Sequence, residues 1–131
     1  MDMMDLVAVV VAAASSFVVG GIWYGPLFGK AWMRASGIME EEAGEANMAR
    51  VMGLSFVLQL VAAFVLMMFI GPDAEAGFAV AAAASVGLFW VAPALGVVYL
   101  FEQRSLAHWG VNAGYQIVAF TLMGMVLGFW P

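Results

Sequence analysis

The sequence predicts an all-α, polytopic membrane protein, a four-transmembrane-helix bundle with a short cytoplasmic interfacial helical segment between helices 1 and 2. Three observations carry that prediction. Of 131 residues, 66% are apolar and 10% charged, where soluble domains carry about a quarter charged residues. The charges fall in four short windows, leaving residues 6–29, 51–72, 76–101 and 105–131 free of Asp, Glu, Lys and Arg. Each free stretch supplies the roughly 20 residues a helix needs to cross a hydrocarbon core about 30 Å thick.

The whole chain reads as one membrane domain. Its first span is expected from about Leu6 to Tyr24, ending where Gly25-Pro26 interrupts the helical pattern. Asp2 and Asp5 precede it, unlike the basic residues that open a secretory signal. The second runs from about Val51 to Ile70 and stops at Gly71-Pro72, the third covers Gly77 to Phe101, and the fourth covers His108 to Trp130. A β-barrel strand would alternate apolar and polar residues, and the run Val7-Ala8-Val9-Val10-Val11-Ala12-Ala13-Ala14 does not. Pro93, in the middle of the third span, is expected to bend it.

In the 25–50 loop, Leu27, Phe28, Ala31, Trp32 and Ala35 recur at helical spacing, as in a short interfacial helix ended near Gly37. Glu40, Glu41 and Glu42 suit the first turn of a further helix, running past Glu45 into the second span. The turn 71–77 is short, so helices 2 and 3 are expected as antiparallel neighbours. Small residues form ridges suited to close helix packing: Ala8, Ala12, Ser16 and Gly20; Ala79, Ala83 and Gly87; and the pairs Gly110/Gly114 and Gly124/Gly128. Aligning helix 2 on helix 4 so that Gln59 meets Gln116 also pairs Gly53 with Gly110 and Gly71 with Gly128, the pattern of a parallel internal duplication.

Composition narrows the chemistry. With no cysteine, a net charge of −5 and only four Lys and Arg, the chain offers no disulfide framework, no thiol redox site and no nucleic-acid surface. One histidine and scattered carboxylates make no metal site, no nucleophile stands at a meaningful spacing from a base, and no Asp, Glu, Lys or Arg lies deep in a span. Neither an enzyme nor a cofactor is expected. What polarity enters the membrane is neutral. His108, Asn112 and Gln116 form one stripe of helix 4 beside Tyr115, and Ser55 and Gln59 repeat the arrangement on helix 2. Carboxamides facing lipid would leave several groups unpaired, so these side chains are expected to face inward. Two uses stay open: hydrogen bonds that hold helices together, or the lining of a cytoplasm-facing polar pocket. Trp23, Tyr24, Trp32, Tyr99, Phe101, Glu102 and Trp109 gather at its mouth, and Lys30, Glu102, Arg104 and His108 are expected to form an ion-pair network there.

The segments Trp23-Tyr24-Gly25-Pro26-Leu27-Phe28-Gly29-Lys30-Ala31-Trp32-Met33 and Asn112-Ala113-Gly114-Tyr115-Gln116 resemble the small bacterial and fungal membrane proteins grouped as domain of unknown function 1761. The resemblance covers nearly the whole chain. It implies a four-span membrane domain with no established activity, and a shared surface at Trp23, Tyr24, Lys30, Trp32, Asn112, Tyr115 and Gln116. Two functions follow from the residues: a homo-oligomeric module, a dimer at first guess, that binds or passes a small uncharged or weakly polar solute; or an accessory subunit that docks a larger membrane complex or organises lipid. Its one assured partner is the bilayer.

Lys30, Arg34, Arg50 and Arg104 all lie in the first and third loops, which the positive-inside rule puts in the cytoplasm, with both termini outside, in a bacterial inner membrane. A reporter fused after Pro131 is expected to read out on the external side, and a cytoplasmic readout would reverse the topology.

Overall fold

The computed structural model describes residues 2–37 and 48–131. Helix α1 (Met3–Ile22) continues into a π-helical turn (Trp23–Leu27) and is followed by α2 (Gly29–Ser36). Then come α3 (Met48–Ile70), α4 (Ala76–Phe101) and α5 (Leu106–Phe129). Four of these helical stretches are long and apolar enough to cross a membrane: Met3–Leu27, Ala49–Ile70, Ala76–Phe101 and Leu106–Phe129. The acidic helix expected to open at Glu40–Glu42 and pass Glu45 lies outside the described residues.

Helix boundaries follow local chemistry. Asp2 accepts from the Asp5 backbone N–H while Asp5 accepts from that of Asp2, a reciprocal cap that starts α1 three residues earlier than apolarity alone indicates. Glu75 accepts from the backbone of Gly77 and Phe78 at the start of α4, and Ser105 accepts from that of His108 at the start of α5. Gly37 and Gly71, at φ 77° and 90°, take the left-handed conformation that ends α2 and α3.

Pro26 acts differently from its sequence reading. Gly25-Pro26 does not break the first span. The chain widens into a π-turn there, with the Phe28 N–H donating to the Trp23 carbonyl at 2.8 Å. Pro93 likewise follows a widened segment: α4 is π-helical over Val86–Val91, and Ala92 donates to Gly87. A proline ring strikes the carbonyl four residues earlier in a regular helix, and a wider turn moves that carbonyl aside.

The spans alternate in direction. Asp2, Asp5, Pro72, Asp73, Leu127 and Trp130 line one cleft, which gathers the start of α1, the α3–α4 turn and the end of α5 at one end of the bundle. At the other end Arg104 donates to the Ser36 carbonyl at 3.4 Å, tying the α4–α5 turn to α2.

Helix α5 is the axis. It packs along both α1 and α4, and α2 covers its first turns, while α3 packs chiefly on α1. The α4–α5 seam is close because both sides are small. A Cβ at Gly124 would lie 2.5 Å from Ala83 Cβ and 2.9 Å from the Ala79 carbonyl, and one at Gly87 would lie 2.9 Å from Ile117 Cα. On α1, Ala8, Ala12 and Ser16 are wholly buried, and Ala63, Leu66 and Met67 of α3 join Met123 and Leu127 of α5 in the same core. Helices α3 and α4, joined by a short turn, are antiparallel and in contact as expected, but they approach each other far less than α4 and α5 do. Glycines at the α4–α5 seam draw α4 onto α5, and α3 remains on α1. The duplication finds no support in this packing: a two-fold axis relating the two hairpins would make α1–α5 and α4–α3 equivalent, and only the first is extensive.

Replacing Gly124 with Val should prise α4 from α5 and cost about 1–3 kcal/mol. Gly110→Ala, whose Cβ would meet nothing within 4 Å, should be neutral or slightly stabilising. Reversible unfolding in mixed micelles compares the two.

Candidate functional site

Aromatic and amide side chains near the 23–37 end of the bundle bond to one another instead of bordering empty space. Tyr24 donates its hydroxyl to Asn112 Oδ1 at 2.6 Å, and Asn112 Nδ2 donates to the Tyr99 hydroxyl at 3.0 Å. One carboxamide on α5 thereby joins α1's π-turn to α4. A turn further along α5, Gln59 Nε2 donates to the Tyr115 hydroxyl at 3.2 Å, and Tyr115 passes its own proton to the Ser16 carbonyl at 2.9 Å. That chain ties α3 to α5 and α5 to α1. The rings pack as well: Tyr24 lies edge-on to Tyr115 at 5.3 Å and to Trp32 at 6.0 Å.

Three of these aromatic donors reach a main-chain carbonyl by the same device. Tyr115 bonds the Ser16 carbonyl, and Gly20, one turn on, would place a Cβ 3.2 Å from the Tyr115 hydroxyl. Trp109 Nε1 bonds the Ala92 carbonyl at 2.8 Å beside Gly96, whose Cβ would sit 3.2 Å from that nitrogen. Trp23 Nε1 bonds the Val111 carbonyl at 2.9 Å beside Gly114, whose Cβ would sit 3.0 Å from the indole ring. A helix carbonyl is normally screened by the side chain of the next turn; glycine there exposes its second lone pair. Buried aromatic donors need a partner, and here the partner is an already hydrogen-bonded helix backbone.

The residues predicted as a polar pocket therefore divide. Tyr24, Gln59, Asn112 and Tyr115 are brought together by hydrogen bonds, with Trp23 and Trp32 packed around them. Ser55 and Gln116 are half-buried and make no side-chain hydrogen bond among the described residues. Lys30 is exposed on α2, and among the described residues Glu102 pairs only with Arg104, at 3.3 Å on the surface. The expected four-membered ion-pair network is thus reduced, among the described residues, to that one exposed pair, because His108 is drawn into the bundle. His108 is 7% exposed and stands edge-on to Tyr99 at 4.8 Å. Sequence reasoning missed Ser16, Gly20 and Gly96, since a glycine that opens a carbonyl looks like any other small packing residue.

A different region is open. Between the second half of α3 and the middle of α4 lies an apolar cleft of about 450 Å³. Val65, Leu66 and Phe69 of α3 face Ser85, Phe89 and Trp90 of α4 across it, with Phe120 of α5 behind. Phe89 and Trp90 are each 67% exposed on the bundle's outer surface, so the cleft opens sideways into the hydrocarbon. Gln116, one turn from Phe120, shares the stripe of α5 that backs it. Among the described residues no three His, Cys, Asp or Glu side chains gather as metal ligands.

An all-helical bundle with four membrane-crossing helices and an internally bonded polar belt defines a small integral membrane protein. The chain belongs to the DUF1761 family of proteins of unknown function, whose model matches residues 7–128. No curated protein and no solved structure matches it.

Trp109→Phe keeps a ring but removes the donor to Ala92, and should cost about 0.6–1.7 kcal/mol, the range of hydrogen bonds between membrane helices. Trp90→Phe removes no internal bond and should stay within about 0.5 kcal/mol of the parent protein by the same unfolding measurement.

Proposed function

We propose that this protein is a binding module of the bacterial inner membrane, not an enzyme, that takes a small uncharged, mainly apolar molecule from the lipid phase into the cleft between α3 and α4. The observation that carries the reading is the cleft itself. About 450 Å³ is within the range of small-molecule sites, and its walls are almost wholly hydrocarbon and aromatic. The belt around Asn112 and Tyr115 supplies the rigid frame. It binds α1, α3, α4 and α5 together near the end that carries Lys30, Arg34 and Arg104, which by charge is the cytoplasmic end, with α2 lying along that interface. Binding within one bundle needs no second copy; a homo-oligomer becomes necessary only for passage across the membrane.

The reading is tested with 4-bromoanisole, an uncharged probe whose bromine quenches tryptophan on contact. Titrated into the protein in lipid nanodiscs, it should quench a saturable part of the fluorescence, and filling the cleft with Ala62→Phe and Ala82→Phe should abolish the saturable part. Quenching that rises linearly in both proteins, as simple partition into lipid does, would end the reading.

A further inference from the structure

Positive charge is scarce in this chain, and the fold gathers three of its four Lys and Arg side chains at one end. The first span ends at Leu27 and the third at Phe101. Lys30 and Arg104 each follow three residues later, where the apolar stretch gives way to the headgroup layer. Lys30 and Arg34, four residues apart, share one face of α2, and both are exposed. The opposite face is held to the bundle, since Trp32 is half-buried and stands edge-on to Tyr24 at 6.0 Å. Arg104 reaches the same helix from the α4–α5 turn by donating to the Ser36 carbonyl at 3.4 Å.

This patch carries an excess of positive charge. Among the described residues Arg104 pairs with Glu102, and neither Lys30 nor Arg34 has an ion pair. Its surroundings are apolar: Leu27 and Phe28 lead into α2, Phe101 and Leu106 flank the Arg104 turn, and all four are exposed. Cations next to uncovered hydrocarbon at a span end match a ligand that is itself anionic at one end and apolar at the other.

We infer that α2 and the α4–α5 turn form a site for an anionic phospholipid, whose phosphodiester lies against Lys30 and Arg34 with Arg104 beside them. Its acyl chains run along the exposed apolar residues of the adjoining span ends. The planar guanidinium of Arg34 matches two phosphate oxygens, and Lys30 adds a point charge one turn away. A zwitterionic lipid brings its own ammonium to the same cations and gains less. A soluble phosphate meets the charge but leaves the apolar flank uncovered. The site shares no residue with the α3–α4 cleft and stands independently of it.

The test titrates the protein in neutral detergent micelles with phosphatidylglycerol or with phosphatidylcholine of the same acyl chains, and native mass spectrometry counts the protein carrying one lipid. Phosphatidylglycerol should bind on the order of tenfold more tightly, as two juxtamembrane cations allow. The preference should shrink as ammonium acetate is raised, because both cations are exposed. Lys30→Gln with Arg34→Gln leaves the hydrogen-bonded belt untouched and should remove most of the preference. Lys30→Arg with Arg34→Lys keeps the charge and should keep it. Equal binding of the two lipids to the parent protein overturns the proposal, as does a preference undiminished in the neutralised variant. Ammonium phosphate that displaces phosphatidylglycerol more than ammonium acetate of the same ionic strength does would assign the patch to a free anion and overturn the lipid.

Discussion

Inside a bilayer no water stands ready to complete a hydrogen bond, so every donor and acceptor brought into the hydrocarbon must find its partner within the protein. In this chain that requirement falls mainly on α5. Its Asn112 and Tyr115 accept from Tyr24 and Gln59, and they donate to Tyr99 and the Ser16 carbonyl, which leaves α5 bonded to each of the other three spans. Apolar packing alone gives membrane helices little reason to prefer one neighbour, since lipid is as apolar as leucine. Directional bonds to a shared central helix supply the preference. Four small hydroxyl residues satisfy themselves: Ser15, Ser16, Ser85 and Thr121 each donate to a carbonyl of their own helix.

Glycine serves this bonding in two ways. At Gly124 and Gly128 its missing side chain lets two backbones touch, the familiar use in membrane helices. At Gly20, Gly96 and Gly114 it uncovers the carbonyl of the preceding turn to a tyrosine or tryptophan on another helix. Aromatic rings near the membrane interface thereby become struts between helices. The same economy explains why the belt leaves little room for a ligand, and why the open space lies instead between α3 and α4, where none of the belt's hydrogen-bonded side chains lines it.

Much of the architecture was legible in the sequence because it depends on exclusion of charge, and charge-free length is a one-dimensional property. The four spans, the helical stretch ended by Gly37 and the buried ridge of Ala8, Ala12 and Ser16 all follow from it or from simple periodicity. The inward turn of Gln59 and Asn112 was legible too, since lipid offers their amides nothing. Pro26 was misread because a widened turn and a broken one share the same residues; only the neighbouring backbone decides between them. Gln59 and Gln116 look equivalent along the chain, yet Gln59 reaches Tyr115 and Gln116 reaches no hydrogen-bond partner among the described residues. The cleft left no trace in the sequence, because it is made by the divergence of two helices and not by any residue type.

The most direct test of the central claim is a double-mutant cycle on Gln59 and Tyr115, using Gln59→Leu, Tyr115→Phe and both together in reversible unfolding from bicelles. If α5 holds α3 through this pair, the coupling energy should fall at about 0.6–1.7 kcal/mol, and the double variant should lose less than the sum of the singles. Strictly additive losses would show that the two side chains do not meet in the membrane, and the bonded belt would no longer explain the bundle.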